Sequence, residues 1–126
     1  MLQFYRCMKC GNFVVFVDEK KACTPKCCGD DMTELKGNTS DGATEKHVPV
    51  VSVDGDKVTV KVGSVDHPML EEHFIQWIVL ETTKGFQKKN LKPGEKPEAT
   101  FALTDGEKAV AAYEYCNLHG LWKAEI

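Results

Sequence analysis

The chain has 126 residues, 42% hydrophobic and 28% charged, with a formal net charge of -3 at neutral pH. That length holds one ordinary domain, or a domain of roughly 90 residues with a small appendage. The slightly acidic balance leaves no electrostatic footprint for nucleic acid, and no segment approaches the apolar length of a membrane span. "MLQFYRCMKC" lacks the apolar core of a signal peptide, so a cytoplasmic location is expected. In a reducing compartment, six cysteines point to metal ligands or redox groups rather than a disulfide framework.

The first stretch, residues 1–36, carries Cys7, Cys10, Cys23, Cys27 and Cys28 around one short apolar run, "NFVVFVD". One hairpin's worth of apolar residues cannot form an independent core, so metal binding is expected to supply the folding energy of this unit. "CMKC" offers a Cys-x2-Cys pair and "KCC" a vicinal pair. Four thiolates suit iron or zinc, which both accept soft sulfur ligands in a tetrahedral field. A zinc ribbon normally repeats the spaced pair, and adjacent cysteines fit that pattern less well. Cys23 is a fifth thiol, either idle or replacing one of the vicinal pair.

The polar, glycine-containing "LKGNTSDGATEK" follows and reads as a linker over residues 37–46. Residues 47–126 then read as strands. "HVPVVSV" and "DKVTVKVG" are separated by the hairpin signal "DGD", and Val58, Val60 and Val62 alternate with Lys57, Thr59 and Lys61. In "MLEEHFIQW", Leu70, His73, Phe74 and Trp77 could line a helix face, but the Ile-Val-rich continuation favours a turn followed by a strand. "EATFALT" and "AVAAYEYC" are further β-branched or aromatic runs, punctuated by "LKPGEKP" and "TDGEK". The expected fold class is all-β, a small metal-binding unit followed by an antiparallel sandwich. Trp77, Tyr113, Tyr115 and Trp122 read as packing residues.

All four histidines, His47, His67, His73 and His119, fall in this second part, at expected strand ends or in loops. The distant sixth cysteine, Cys116, lies three residues before His119 in "CNLHGLW". Together they offer five donors. Structural zinc stops at four, and blue copper takes two histidines and one cysteine with a weak axial ligand. Five donors at iron leave one octahedral position open, opposite a thiolate that would push electron density toward whatever binds there. Such a centre suits redox chemistry on a small oxygen species.

Through "CMKC", "KCC", "EKHVP", "DHPM" with "EEHFIQW", and "CNLHGLW", almost the whole chain resembles the desulfoferrodoxin family, the two-iron superoxide reductases. Its cysteine-rich part is similar to desulforedoxin. The resemblance implies an immunoglobulin-like sandwich, a homodimer, and two irons per chain cycling between Fe2+ and Fe3+. It implies a rubredoxin-like Fe(Cys)4 centre on Cys7, Cys10, Cys27 and Cys28, where zinc is the other candidate ion. A second centre is implied with equatorial His47, His67, His73 and His119 and axial Cys116. Glu45 and Lys46 match the family's Glu-Lys pair before the first histidine. The gap between the cysteine pairs is one residue longer than the family pattern, with Cys23 inside it.

The implied activity is one-electron reduction of superoxide to hydrogen peroxide, as part of oxidative-stress defence in an anaerobe, with electrons from rubredoxin or a similar small carrier. Lys46 would attract the anion and hold a proton-donating water, and Glu45 would close the open position in the oxidised state. Three competing readings are a pure electron carrier, a zinc-binding structural module, and a superoxide dismutase. Oxidation of the ferrous protein by superoxide, metal content, and dependence on an external reductant discriminate among them.

Overall fold

The computed structural model describes residues 1–19 and 23–126. The chain divides into two compact units, Met1–Lys36 and Gly37–Ile126.

The first unit contains β1 (Phe4–Arg6), β2 (Phe13–Val15), β3 (Lys26–Cys27), β4 (Asp30–Asp31) and β5 (Thr33–Glu34). One sheet has the order β2-β1-β5, and β3 and β4 form a separate hairpin. The core is small, with Tyr5, Cys7 and Met32 buried and Val14, Phe16 and Cys27 packed against them. Two of those six residues are cysteines offered to one cluster, so a metal there would crosslink what the apolar contacts hold only weakly.

The second unit contains α1 (Thr44–His47), β6 (Pro49–Asp54), β7 (Lys57–Val62), β8 (Ile75–Thr82), β9 (Gly85–Asn90), β10 (Glu98–Ala102), β11 (Ala109–Cys116) and β12 (Gly120–Glu125). They form two antiparallel sheets, β10-β7-β6 and β12-β11-β8-β9. The alternation in "KVTVKV" does what period two requires: Val58, Val60 and Val62 are buried. They meet Ile75, Ile78 and Leu80 of β8, Phe101 of β10, and Ala112 and Cys116 of β11. Burying side chains of this size stabilises by about 1.5–3 kcal/mol each. The "DGD" signal is a tight β6–β7 connection in which Asp54 faces Lys57 and Gly55 takes a φ of 61°. The segment before β8 is a turn, closed by reciprocal backbone bonds between Leu70 and His73.

Three elements of the second unit were not expected. β9 is polar beyond Gly85 and Phe86 and runs along a sheet edge, so it carries no apolar alternation to read. β12 pairs with β11 through the Cys116–Gly120 turn. α1 is one turn long and has no helical period. The stretch read as a linker belongs to the second unit and is tied to β12. Asn38 N–H donates to the Leu121 carbonyl (3.0 Å), its side-chain amide donates to the Lys123 carbonyl (3.1 Å), and Lys123 N–H donates back to Asn38 Oδ1 (2.8 Å). Among the described residues no helix is long and apolar enough to cross a membrane.

Candidate metal centres

β11 brings a thiol into the second unit's core. Along this strand Ala112 faces Leu80 and Tyr115 faces Trp77, and a register shift between Tyr115 and Cys116 sets Cys116 opposite Ile75. Such an irregularity beside a site re-aims a side chain. The chain then turns through "NLHG" into β12, with Gly120 at a φ of 79° where a side chain would be strained. Cys116 and His119 therefore sit on one turn, with Cys116 Sγ 3.8 Å from His119 Nδ1.

The other three histidines close a ring above that thiol. Neighbouring imidazole centroids stand 4.7 Å apart for His47–His67, 4.6 Å for His67–His73, 5.1 Å for His73–His119 and 4.8 Å for His119–His47. Each neighbouring pair is steeply inclined, between 73° and 85°. The rings thus stand like propeller blades about one axis. His47 Nε2 lies 3.2 Å from His67 Nε2 and 3.1 Å from His119 Nδ1, and Cys116 Sγ lies 3.4 Å from His67 Nε2. One donor atom from each of the five residues falls within 4.8 Å of all the others.

The surroundings fix which nitrogen faces inward. His47 Nδ1 donates to the Ala43 carbonyl (2.8 Å) and His67 Nδ1 to the Pro68 carbonyl (2.7 Å), which leaves each Nε2 lone pair for the centre. His73 Nε2 is buried with no hydrogen-bond partner, and one ring nitrogen of His73 belongs to the five-donor group. Trp122 stacks on His47 at 4.9 Å, and its indole N–H donates to the His119 carbonyl (3.0 Å), which also accepts from the Ser40 hydroxyl. The loop after β7 holds α1: Val65 N–H (2.9 Å) and Ser64 Oγ (3.2 Å) both donate to the Glu45 carbonyl. Only glycine fits at position 63, since a Cβ there would stand 2.6 Å from that carbonyl oxygen. Glu45 and Lys46 are exposed on α1 beside His47.

Burial lowers the pKa of His47 and His73, and takes that of His67 from 6.5 to about 4. Neutral imidazoles are what a metal needs. The Lys46 ammonium contributes to the depression at His47 and His73, which places its charge within electrostatic reach of the ring. Burial raises the Cys116 thiol, opposed by backbone N–H groups of Leu118 and His119, so a cation rather than solvent must stabilise the thiolate. Because the unfolded chain takes up protons near pH 6.5 and folded His67 only near 4, the folded state binds fewer protons in between. The metal-free protein should therefore lose thermal stability progressively from pH 6.5 down to 4. A melting temperature that is flat across this window would contradict the burial argument.

In the first unit, Cys7, Cys10, Cys27 and Cys28 form a second cluster. Cys28 and Gly29, with φ of 54° and 82°, are the two central residues of the β3–β4 hairpin, the signature of a type I′ turn. That turn makes a vicinal pair useful, because it presents both thiols to one point at the cost of a left-handed cysteine. Cys10 and Cys27 sulfurs stand 3.6 Å apart, and Cys27 and Cys28 sulfurs 4.0 Å. Tetrahedral ligands about 2.3 Å from an ion stand about 3.8 Å from one another, so the four fit a single metal. Backbone N–H groups of Cys10 and Lys9 lower the Cys7 thiol to about 6, while sulfur contacts with Cys10 and Cys7 push Cys28 up to about 12. Cys23 is exposed and lies outside the cluster.

Asn117 escaped the sequence reading. Its side-chain oxygen accepts from Phe74 N–H (2.9 Å), its amide donates to the Glu72 carbonyl (3.1 Å), and its backbone N–H donates to the Phe74 carbonyl (3.2 Å). One residue beside Cys116 thus brackets His73 on both sides. Outer partners of metal ligands commonly account for ten- to a hundredfold in affinity. Asn117→Ala should weaken metal binding at the five-donor site by about tenfold or more in a chelator competition, leaving the four-cysteine site unchanged. Equal retention at both sites would remove Asn117 from this role.

The family model for desulfoferrodoxin matches residues 39–125. The chain is 51% identical over 124 residues to a desulfoferrodoxin from Syntrophotalea carbinolica, covering 98% of this chain and 96% of that protein. The crystal structure of the superoxide reductase from Treponema pallidum superposes with a TM-score of 0.86 at 42% identity, covering 99% of both chains. A superoxide reductase from Giardia intestinalis, described as 1Fe-SOR, matches with a TM-score of 0.55 at 33% identity, over 65% of this chain and 97% of its own.

Proposed function

The chain belongs to the desulfoferrodoxin family, and from that membership we propose that it is a superoxide reductase working at the five-donor centre. The observation that carries this reading is the closed ring of four imidazoles over one buried thiol. Iron held by His47, His67, His73, His119 and Cys116 would supply a one-electron reductant for a small anion. Superoxide, one electron and two protons give hydrogen peroxide.

The chain's own groups then have separate tasks. Lys46 attracts the anion locally, where a net charge of -3 does not help, and orders a water that donates a proton. Glu45 would serve as a further ligand to the oxidised metal, since a carboxylate suits ferric iron better than ferrous. Cys116 compensates the metal's charge from the buried side. Cys7, Cys10, Cys27 and Cys28 hold a second iron that relays electrons, with zinc as the alternative occupant. A small carrier such as rubredoxin is the proposed donor, and a cytoplasmic homodimer the proposed state.

Metal analysis and a visible spectrum taken before and after mild reduction test the assignment. Two irons per chain are expected, with a thiolate-to-iron band persisting from the second centre once the first is bleached. Zinc throughout, with no iron recoverable on anaerobic reconstitution, would make the protein a structural module.

A further inference from the structure

The four-cysteine cluster has a neighbour whose side chain is aimed at one of its sulfurs. The turn from Cys7 to Asn12 is closed by Cys7 N–H donating to the Asn12 carbonyl (2.8 Å) and Gly11 N–H donating to the Cys7 carbonyl (2.9 Å), with Gly11 at a φ of 82°. This closure sets Asn12 at the exit of the first ligand-bearing turn, immediately before β2. From there its Nδ2 reaches 3.6 Å from Cys27 Sγ on the β3–β4 hairpin. The side chain therefore spans from one pair of thiols to the other.

We propose that Asn12 is a positioning residue that sets the reduction potential of the four-cysteine centre, through a hydrogen bond from its side-chain amide to the Cys27 sulfur. This rests on the reading of that centre as iron-bearing. Four thiolates around ferric iron leave one net negative charge, and around ferrous iron two. A donor stabilises the more negative state more, so it favours reduction. A thiolate also selects the N–H end of the amide, because the oxygen end would be repelled. Cys10 N–H gives Cys7 Sγ a comparable bond at 3.5 Å, but that donor belongs to the backbone and no substitution removes it. Asn12 is the donor that evolution or an experimenter can change without altering the turn. It is exposed, so water replaces part of the lost bond and the effect is moderate.

Two measurements test this in the full-length protein. In the unsubstituted chain loaded with cadmium-113, the Asn12 side-chain amide proton should show coupling to the metal through the Cys27 sulfur. In the iron-loaded protein, Asn12→Leu should disfavour reduction of the four-cysteine centre by about fivefold in its equilibrium constant, about 40 mV at 59 mV per tenfold. Asn12→Gln should recover part of that shift. A potential unchanged in Asn12→Leu, or an absent cadmium coupling, would overturn the proposal. Should Asn12→Leu fail to take up iron, the cadmium coupling decides alone. Zinc in place of iron in the native protein would overturn the electron-relay reading and the tuning role with it. That outcome is recognisable, because the cadmium coupling would persist.

Discussion

Cys116→Ser is expected to lower superoxide reduction by more than about a hundredfold, while the four-cysteine centre keeps its visible spectrum. The size follows from the position of the sulfur. Outer partners of metal ligands account for about ten- to a hundredfold, so loss of an inner anionic ligand should exceed that range. Cys116 is fully buried at the end of β11, packed among Val62, Ile75 and Ala112 of the sandwich core. A serine there is nearly isosteric but stays a neutral hydroxyl, leaving four imidazoles to carry the charge of a cation in an apolar surround. Glu114, also fully buried, has a pKa raised well above the ordinary carboxyl value by burial, and it lies outside the five-donor group, so it does not replace the thiolate. Loss of a thiolate-to-metal band only from the second centre, in step with activity, is the expected signature. Activity within a few-fold of the parent would mean that the thiol is a packing residue.

Lys46→Ala should lower the second-order rate with superoxide by about tenfold at low ionic strength, within the range known for electrostatic steering. The net charge of -3 disfavours an anion globally, so the attraction has to be local. In the proposed reading Lys46 supplies it, from an exposed turn whose carbonyl at Glu45 is pinned by Ser64 and Val65. The parent rate should fall as salt is added, and the variant's rate should fall less steeply, because screening then has less to remove. Lys46→Arg should keep most of the rate. An unchanged rate for Lys46→Ala at low ionic strength would sink the steering role.

The parts of this site that could be read from the sequence are those with chemically distinctive donors. Four histidines and one remote cysteine stand out in any order, and "KVTVKV" declares its buried face through a period of two. The cyclic order of the imidazoles could not be read, because it depends on α1, the loop after β7, the turn before β8 and the β11–β12 turn meeting in space. Asn117 was invisible for a similar reason, since an asparagine in a turn ordinarily bonds its own backbone. Glu114 misleads in a different way. In "AYEYC" it looks like the solvent side of an alternating strand, yet β11 is an inner strand and both of its faces are buried from Ala111 to Cys116. The ordered segment around Asn38 looked like a linker because its partners are backbone groups of β12, more than eighty residues away.

In the proposed function the five-donor centre reduces superoxide rather than carrying electrons or dismutating. The most direct measurement mixes the fully reduced, iron-loaded protein anaerobically with superoxide and quantifies peroxide and dioxygen while following oxidation of the second centre. One hydrogen peroxide per superoxide consumed, no dioxygen, and oxidation of that centre at the same rate are the predicted result. Dioxygen released in equal measure with peroxide, without an external reductant, would make the protein a dismutase. A ferrous centre that superoxide leaves unoxidised would contradict the account outright.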